Sequence, residues 1–273
     1  MRLALIGYGN IATSLLGILA EQGLVLDRLD ILARPGAEDR AKDKLSASAS
    51  TLGGGLHVHG SVETLIESKP DLVVEVATHD AVRESLLRCL EAGIDSVLVS
   101  VGALADAETE TALHDAAKTG GALLRIVPGA VGGIDMLAAA RLSGDLDVTY
   151  ISRKPPQAWQ GTPAEQKLDL ATLEAAEVFY EGSAREAARD YPKNANVAAT
   201  IALAGAGFEA TRVKMIADPQ APGNIHEYTV RSNALDFSIR LEGKPSPDNP
   251  KTSLSTVYSV AREILNAAGP VAI

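Results

Sequence analysis

Short β-branched runs alternate with amphipathic stretches through the first half of the chain. The runs at 3–6, 29–33, 56–58, 72–77, 97–101 and 123–127 predict strands. The stretches near 11–22, 37–48, 61–68, 80–92 and 106–119 predict helices, because apolar residues recur there at helical spacing, as Ile11, Leu15, Ile18 and Leu19 do. Strands separated by helical crossovers predict a parallel sheet, since parallel neighbours need a connection of roughly a dozen residues. Leu72-Val73-Val74-Glu75-Val76-Ala77 and Val97-Leu98-Val99-Ser100-Val101 are almost continuously apolar, the pattern of strands covered on both faces.

The texture changes after Pro128-Gly129-Ala130-Val131-Gly132-Gly133. Further on, Leu235, Phe237, Ile239 and Leu241 alternate with Asp236, Ser238 and Arg240, so one face of that strand is wet or borders a cavity. Strands are expected at 147–152, 213–216, 225–230 and 235–241, with helical patterns near 134–142, 163–188, 195–206 and 252–267. The expected fold class is α/β, with a doubly wound parallel sheet at 1–130 and a smaller α+β domain at 131–250. The last helix, within 251–273, is expected to pack back on the first domain. The segment from Lys244 to Pro250 reads as a turn-rich loop.

Composition narrows the function. Hydrophobic residues make up 46% of the chain, enough for a sizeable core, and Lys+Arg 25 against Asp+Glu 35 leaves a net charge of −10. No dense basic run interrupts that balance, so no nucleic-acid partner is expected. Cys89 is the sole cysteine, set among apolar residues of a predicted helix. It supports neither a disulfide nor a metal site and fits a reducing, cytoplasmic setting. Arg2 followed by an apolar stretch mimics a signal peptide, but Gly7-Tyr8-Gly9-Asn10 splits that stretch and a helical stripe follows. No apolar run reaches the ~18 residues that span a bilayer, so a soluble protein without a membrane partner is expected.

Gly7-Tyr8-Gly9-Asn10-Ile11-Ala12 is G-x-G-x-x-A between the first strand and the first helix. The first glycine makes the tight turn, the second lets backbone approach a pyrophosphate, and the small last residue lets helix and strand pack closely. In this βα context the motif predicts a Rossmann domain binding NAD or NADP through Gly7, Gly9, Asn10 and Ile11. The second strand ends Leu32-Ala33-Arg34-Pro35. Where an acid would bind the NAD ribose, Arg34 can accommodate the 2′-phosphate of NADP, or stand as a solvated loop residue. Ala77-Thr78-His79 and Pro128-Gly129-Ala130 close other strands, where ligands of open α/β sheets bind; Ala77 is a cofactor candidate, and His79 reads as a cap or a wall.

Taken in order, several segments are similar to the L-aspartate dehydrogenase family. They are the Gly-rich turn, Asp71-Leu72-Val73-Val74-Glu75, Ser100-Val101-Gly102-Ala103-Leu104-Ala105-Asp106, Pro128-Gly129-Ala130-Val131-Gly132-Gly133, Tyr191-Pro192-Lys193-Asn194-Ala195-Asn196-Val197-Ala198-Ala199, Asn224-Ile225-His226-Glu227 and Asn249-Pro250-Lys251-Thr252-Ser253. The resemblance implies NAD(P)-dependent oxidative deamination of L-aspartate to iminosuccinate, which yields oxaloacetate and ammonia or feeds NAD biosynthesis. It implies a homodimer, a catalytic His226, and cofactor contacts at Ala130 and Asn196.

The residues agree with that chemistry. Hydride leaves Cα only from a neutral amine, so the site needs a base, and histidine has an unperturbed pKa of ~6.5. His226, on a predicted strand after a Pro-Gly-Asn turn, is that candidate; a core histidine bonded to backbone is the alternative. His57, His59 and His114 read as structural or solvated. Two substrate carboxylates call for local positive charge, for which Arg153, Lys154, Lys193 and Lys251 are unranked candidates. Asn194 and Asn196 can each cap a following helix; the resemblance places Asn196 on the cofactor and leaves Asn194 as the cap. Two other readings stay open: a related two-domain reductase of the homoserine dehydrogenase or dihydrodipicolinate reductase kind, and a non-catalytic dinucleotide sensor.

Overall fold

The central strands of the parallel-sheet half have no exposed face to offer. The computed structural model describes residues 1–246 and 249–272, and the side chains of all of these but 193, 245–246 and 249–252. Contacts divide it into two units: Met1–Val127 with the chain from Val257 onward, and Pro128–Thr256.

In the first unit β1 (Arg2–Ile6), β2 (Arg28–Leu32), β3 (Leu56–His59), β4 (Leu72–Glu75), β5 (Ser96–Leu98) and β6 (Leu124–Ile126) form a sheet in the order β3-β2-β1-β4-β5-β6. Every pairing is parallel. Leu3, Ala4 and Leu5 of β1 and Val73 and Val74 of β4 are fully buried, as strands covered on both faces must be. The order reverses between β1 and β4, the switch point at which open α/β sheets bind ligands beyond the strand ends. β5 and β6 are shorter than the apolar runs that predict them. The backbone after β5 leaves the ladder, and Val101–Ala105 coils as a 3-10 helix.

The second unit holds a mixed sheet, ordered β11-β10-β7-β9-β8, of β7 (Asp147–Lys154), β8 (Glu177–Ser183), β9 (Arg212–Ala217), β10 (Ile225–Arg231) and β11 (Phe237–Glu242). β7 and β9 are parallel and the other neighbours antiparallel. Along β7, Val148, Tyr150, Ser152 and Lys154 are buried while their neighbours are not. The helix Asn196–Ala204 ends against this face: a Cβ on Gly205 would meet Leu137 and Val148 side chains at 3.1 and 3.3 Å.

The helical pattern expected at 163–188 is replaced by a 3-10 turn Pro163–Gln166, the strand β8 and a helix Ala184–Asp190. A register shift between Val178 and Tyr180 lets the consecutive Phe179 and Tyr180 both turn inward, where Phe179 meets Trp159 and both meet Tyr191. Ser183 and Glu186 then form a capping box, so the helix starts there and no earlier. The sheet thus has a strand more than the sequence predicts. The expected loop after Lys244 contains a ladder of Pro245–Ser246 with Asn249–Ser253.

The turn entering the helix Ile134–Arg141 is held from the sheet. Tyr228 Oη donates to the Gly132 carbonyl at 2.6 Å, and Gly133 takes φ +69°, where an added Cβ would strike the Ile239 and Tyr228 side chains. Gly133→Ala is therefore expected to destabilise the fold by about 1–3 kcal/mol, read as a lower urea midpoint; an unchanged midpoint shows that the turn is not so constrained.

Candidate functional site

The sequence candidates fall into one cluster in each unit. In the first, Gly7 follows β1 at φ +105°, and a Cβ there would lie 2.9 Å from Ala77 Cβ and 3.2 Å from the Val76 carbonyl. Only glycine fits so close a crossing of two strand ends. Gly9 precedes the helix Asn10–Glu21 with nothing within 4 Å of its missing Cβ, so backbone there lies open to a ligand. Ala12 is fully buried, the close helix–strand packing that the motif requires. Asn10 accepts a hydrogen bond from Lys44 Nζ at 3.3 Å, and Ile11 is half-buried. Arg34 is exposed in the turn just beyond β2, and its carbonyl accepts from Ala37 N–H.

A residue that sequence reasoning passed over braces this turn. Glu75, the last residue of β4, is fully buried. Its carboxylate accepts from Ala77 N–H at 2.7 Å and from Ser100 N–H and Oγ–H at 2.9 Å each. Burial pushes its carboxyl above the ordinary range, and these hydrogen bonds oppose that rise. Glu75 thereby ties the ends of β4 and β5 together and sets Ala77 against Gly7. Thr78, rather than His79, caps the short helix that follows, its hydroxyl accepting from Ala81 N–H at 3.3 Å. His59 sits 2.6 Å from the buried Asp30, which Arg28 also grips, and His114 is exposed beside Asp115; these histidines are structural or solvated, as expected.

The second cluster lies on the buried face of the other sheet. His226 of β10 is 5% exposed and stands opposite Ser152 in the ladder with β7. Its Nδ1 lies 2.7 Å from Tyr150 Oη, with the rings stacked at 19° and 6.1 Å between centroids. Burial, helped by the charge of Lys154, pulls the imidazole down to about 3. The free protein's histidine therefore titrates well below the 6–7 expected of an unperturbed one. Burial pushes the Tyr150 hydroxyl up, so it stays protonated beside a neutral imidazole.

Among the cations considered, Arg153 pairs with Asp218 at 2.9 Å. The side chains of Lys193 and Lys251 lie outside the described residues. Lys154 closes β7, is buried, and donates to Asn194 Oδ1 at 2.7 Å. Asn194 is thus no helix cap, because its side-chain oxygen is taken by the ammonium; the helix begins at Asn196 without a side-chain cap. Asn196 is exposed at the first turn of that helix, and Ala130 is half-buried in the Gly129 turn. No sequence signal singled out Tyr150 or ranked Lys154. Strand alternation places Tyr150, Ser152 and Lys154 on one face, but which residue of β10 they meet is a matter of register.

Residues 135–267 match the family model of the aspartate dehydrogenase C-terminal domain, and residues 7–126 that of the homoserine dehydrogenase NAD binding domain. The L-aspartate dehydrogenase of Cupriavidus necator is 43% identical over 274 residues, covering 100% of both chains. That of Pseudomonas aeruginosa is 49% identical over 205 residues, 75% of this chain and 77% of its own. The crystal structure of aspartate dehydrogenase from Thermotoga maritima has 26% identity and a TM-score of 0.76, covering 100% of this chain and 99% of its own. A hyperthermophilic archaeal homoserine dehydrogenase in complex with NADPH, at 16% identity and a TM-score of 0.57, covers 98% of this chain and 97% of its own and shares the fold. Identity of this order from end to end makes the chain a member of the aspartate dehydrogenase family.

Proposed function

We propose that the chain oxidises L-aspartate with NAD or NADP to iminosuccinate, which water converts to oxaloacetate and ammonia, and that it runs the reverse reductive amination as well. Iminosuccinate so formed feeds NAD biosynthesis, and the enzyme works as a cytoplasmic homodimer. The observation that carries the reading is a neutral, buried imidazole hydrogen-bonded to Tyr150, on the same sheet face as a buried ammonium. One group can take a proton and the other can hold a carboxylate.

When bound, the nicotinamide supplies the acceptor for the hydride that leaves Cα. Gly9, with open space where a Cβ would be, and the first N–H groups of the helix Asn10–Glu21 would hold the cofactor's pyrophosphate, on a turn that Gly7 makes possible. Ala77 would add to the cofactor contacts of this unit and Arg34 would meet the 2′-phosphate of NADP, while the roles of Ala130 and Asn196 rest on the family resemblance. Hydride loss requires a neutral α-amine, so a proton must leave the ammonium first. In the tautomer whose Nδ1–H donates to Tyr150 Oη, Nε2 of His226 is free to accept that proton, or to take one from the water that attacks the imine. Over the deamination, aspartate, water and oxidised cofactor give oxaloacetate, ammonium, reduced cofactor and one proton.

His226→Ala is expected to lower kcat by ~10²–10⁴ while leaving NAD(P) affinity, followed by fluorescence of the reduced cofactor, nearly unchanged. Retention of kcat within about threefold of the parent removes His226 from the proton transfer. Aspartate should also be the best substrate by kcat/KM among amino and hydroxy acids; a better hydroxy acid would assign the chain to another reductase activity.

Arg34→Asp is expected to weaken NADP+ by repulsion at the 2′-phosphate and to leave NAD+ equal or better. An unchanged ratio of kcat/KM for the two coenzymes places Arg34 outside the adenosine site.

Acid stability tests the buried imidazole separately. The unfolded chain takes a proton on this side chain below ~6.5, whereas the folded protein holds it off down to about 3. The unfolded state therefore binds more protons in that window, and folding stability falls as pH drops through it. His226→Gln should flatten the decline in urea midpoint between those pH values; an identical decline shows that His226 is not held neutral.

A further inference from the structure

A buried ammonium is costly unless an anion shares its surroundings. Lys154 is 9% exposed, and its Nζ has two close neighbours, Asn194 Oδ1 at 2.7 Å and the ring of Trp159, 4.7 Å to the centroid. Both are neutral. Among the described residues no carboxylate pairs with Lys154; the nearby Asp218 is taken by Arg153 on the opposite face of β7. Burial lowers the ammonium to about 8, so it remains largely charged at neutral pH. Of its three donors, Asn194 occupies one.

The same ammonium borders a cavity of about 530 Å³ together with Asn194, Asn224, Lys244 and Ser253. None of the residues around that cavity is acidic, and several present hydrogen-bond donors. His226 is not among them. It faces Ser152, and Lys154 lies two residues further along β7, ~6–7 Å along the strand. With a reacting Cα at the imidazole, the side-chain carboxylate, one bond further from that carbon than the α-carboxylate, reaches further toward Lys154.

We propose that Lys154, oriented by Asn194 and walled by Trp159, anchors the side-chain carboxylate of the substrate and so selects a dicarboxylic amino acid over a neutral one. This assignment rests on reading the chain as a dehydrogenase of aspartate. It has a second consequence, because the ammonium's charge also helps hold His226 neutral. A carboxylate bound on Lys154 offsets that repulsion and makes the imidazole a better base when the correct substrate is present.

Trp159 is the sole tryptophan of the chain, so its fluorescence reports on Lys154 without turnover. Succinate and butyrate are titrated into the intact protein with and without NADP+. Succinate is expected to give a saturable change and butyrate none, and Lys154→Met should abolish the succinate response. In turnover, Lys154→Met should lower kcat/KM for aspartate by roughly 10–100-fold and leave that for L-2-aminobutyrate equal or higher, since losing the ammonium also removes its repulsion on His226. The variant replaces a buried charge with an apolar chain of similar length, so its Tm should equal or exceed the parent's. Asn194→Asp, which gives the ammonium an internal carboxylate, should weaken succinate by about tenfold or more if Lys154→Met fails to fold. An equal loss for aspartate and aminobutyrate, or no saturable succinate response in either condition, overturns the anchor. Failure of the parent to oxidise aspartate, with the succinate response still lost in Lys154→Met, overturns the aspartate reading and leaves the carboxylate anchor standing.

Discussion

Antiparallel pairing of β7 with β10 decides which side chains of the second unit can act together. His226 stands opposite Ser152, Tyr228 opposite Tyr150 and Val230 opposite Val148. Because strands repeat every two residues, a slip of one would carry His226 to the face that holds Arg153 and Ile151, away from Tyr150. What resists the slip is apolar: Val148, Val230, Tyr150 and Tyr228 are essentially fully buried, while Glu227, Thr229 and Arg231 lie on the other face. Each large apolar side chain turned out to water would forfeit about 1.5–3 kcal/mol. Tyr228 adds a directional lock through the Gly132 carbonyl. The position of the imidazole is therefore a by-product of core packing along two strands.

The same alternation sorts the charges. Arg153 and Lys154 are adjacent in sequence and point to opposite faces of β7; one finds Asp218, the other finds a neutral amide and an indole ring. In a chain of net charge −10 this leaves a cation buried without a carboxylate among the described residues. Desolvation lowers both Lys154 and His226, and the two repel each other, so the ammonium keeps its proton and the imidazole gives its own up. An imidazole and an ammonium can thus share one buried face, because only one of them is charged.

In the first unit a buried carboxyl serves packing instead. Glu75 spends its carboxylate on three hydrogen bonds to Ala77 and Ser100, which closes off the ends of β4 and β5. Ala77 is set so near Gly7 that no side chain fits between them, and the Gly-rich turn takes its shape from that contact. The motif's first glycine is therefore explained by a neighbour some seventy residues away, as well as by the local turn.

Most of the parallel sheet was legible in the chain, because strands buried on both faces are continuous apolar runs and their crossovers carry helical periodicity. The Gly-rich turn was legible for the same reason, being local and flanked by a strand and a helix. His226, by contrast, was marked by the resemblance, and its strand by alternation, but neither could supply its pKa, which depends on burial against Tyr150 and Lys154. β8 was misread as helix because its alanine- and glutamate-rich approach has helical spacing, and only the aromatic cluster with Trp159 and Tyr191 draws Phe179 and Tyr180 into a bulged strand. Asn194 resembles a cap in sequence and is a lysine partner in space. The sequence by itself determined most of the elements and the cofactor turn, since periodicity and glycine placement are local properties. Tertiary structure alone decided which polar residues meet and which are charged, since register and desolvation arise only when distant strands share a core.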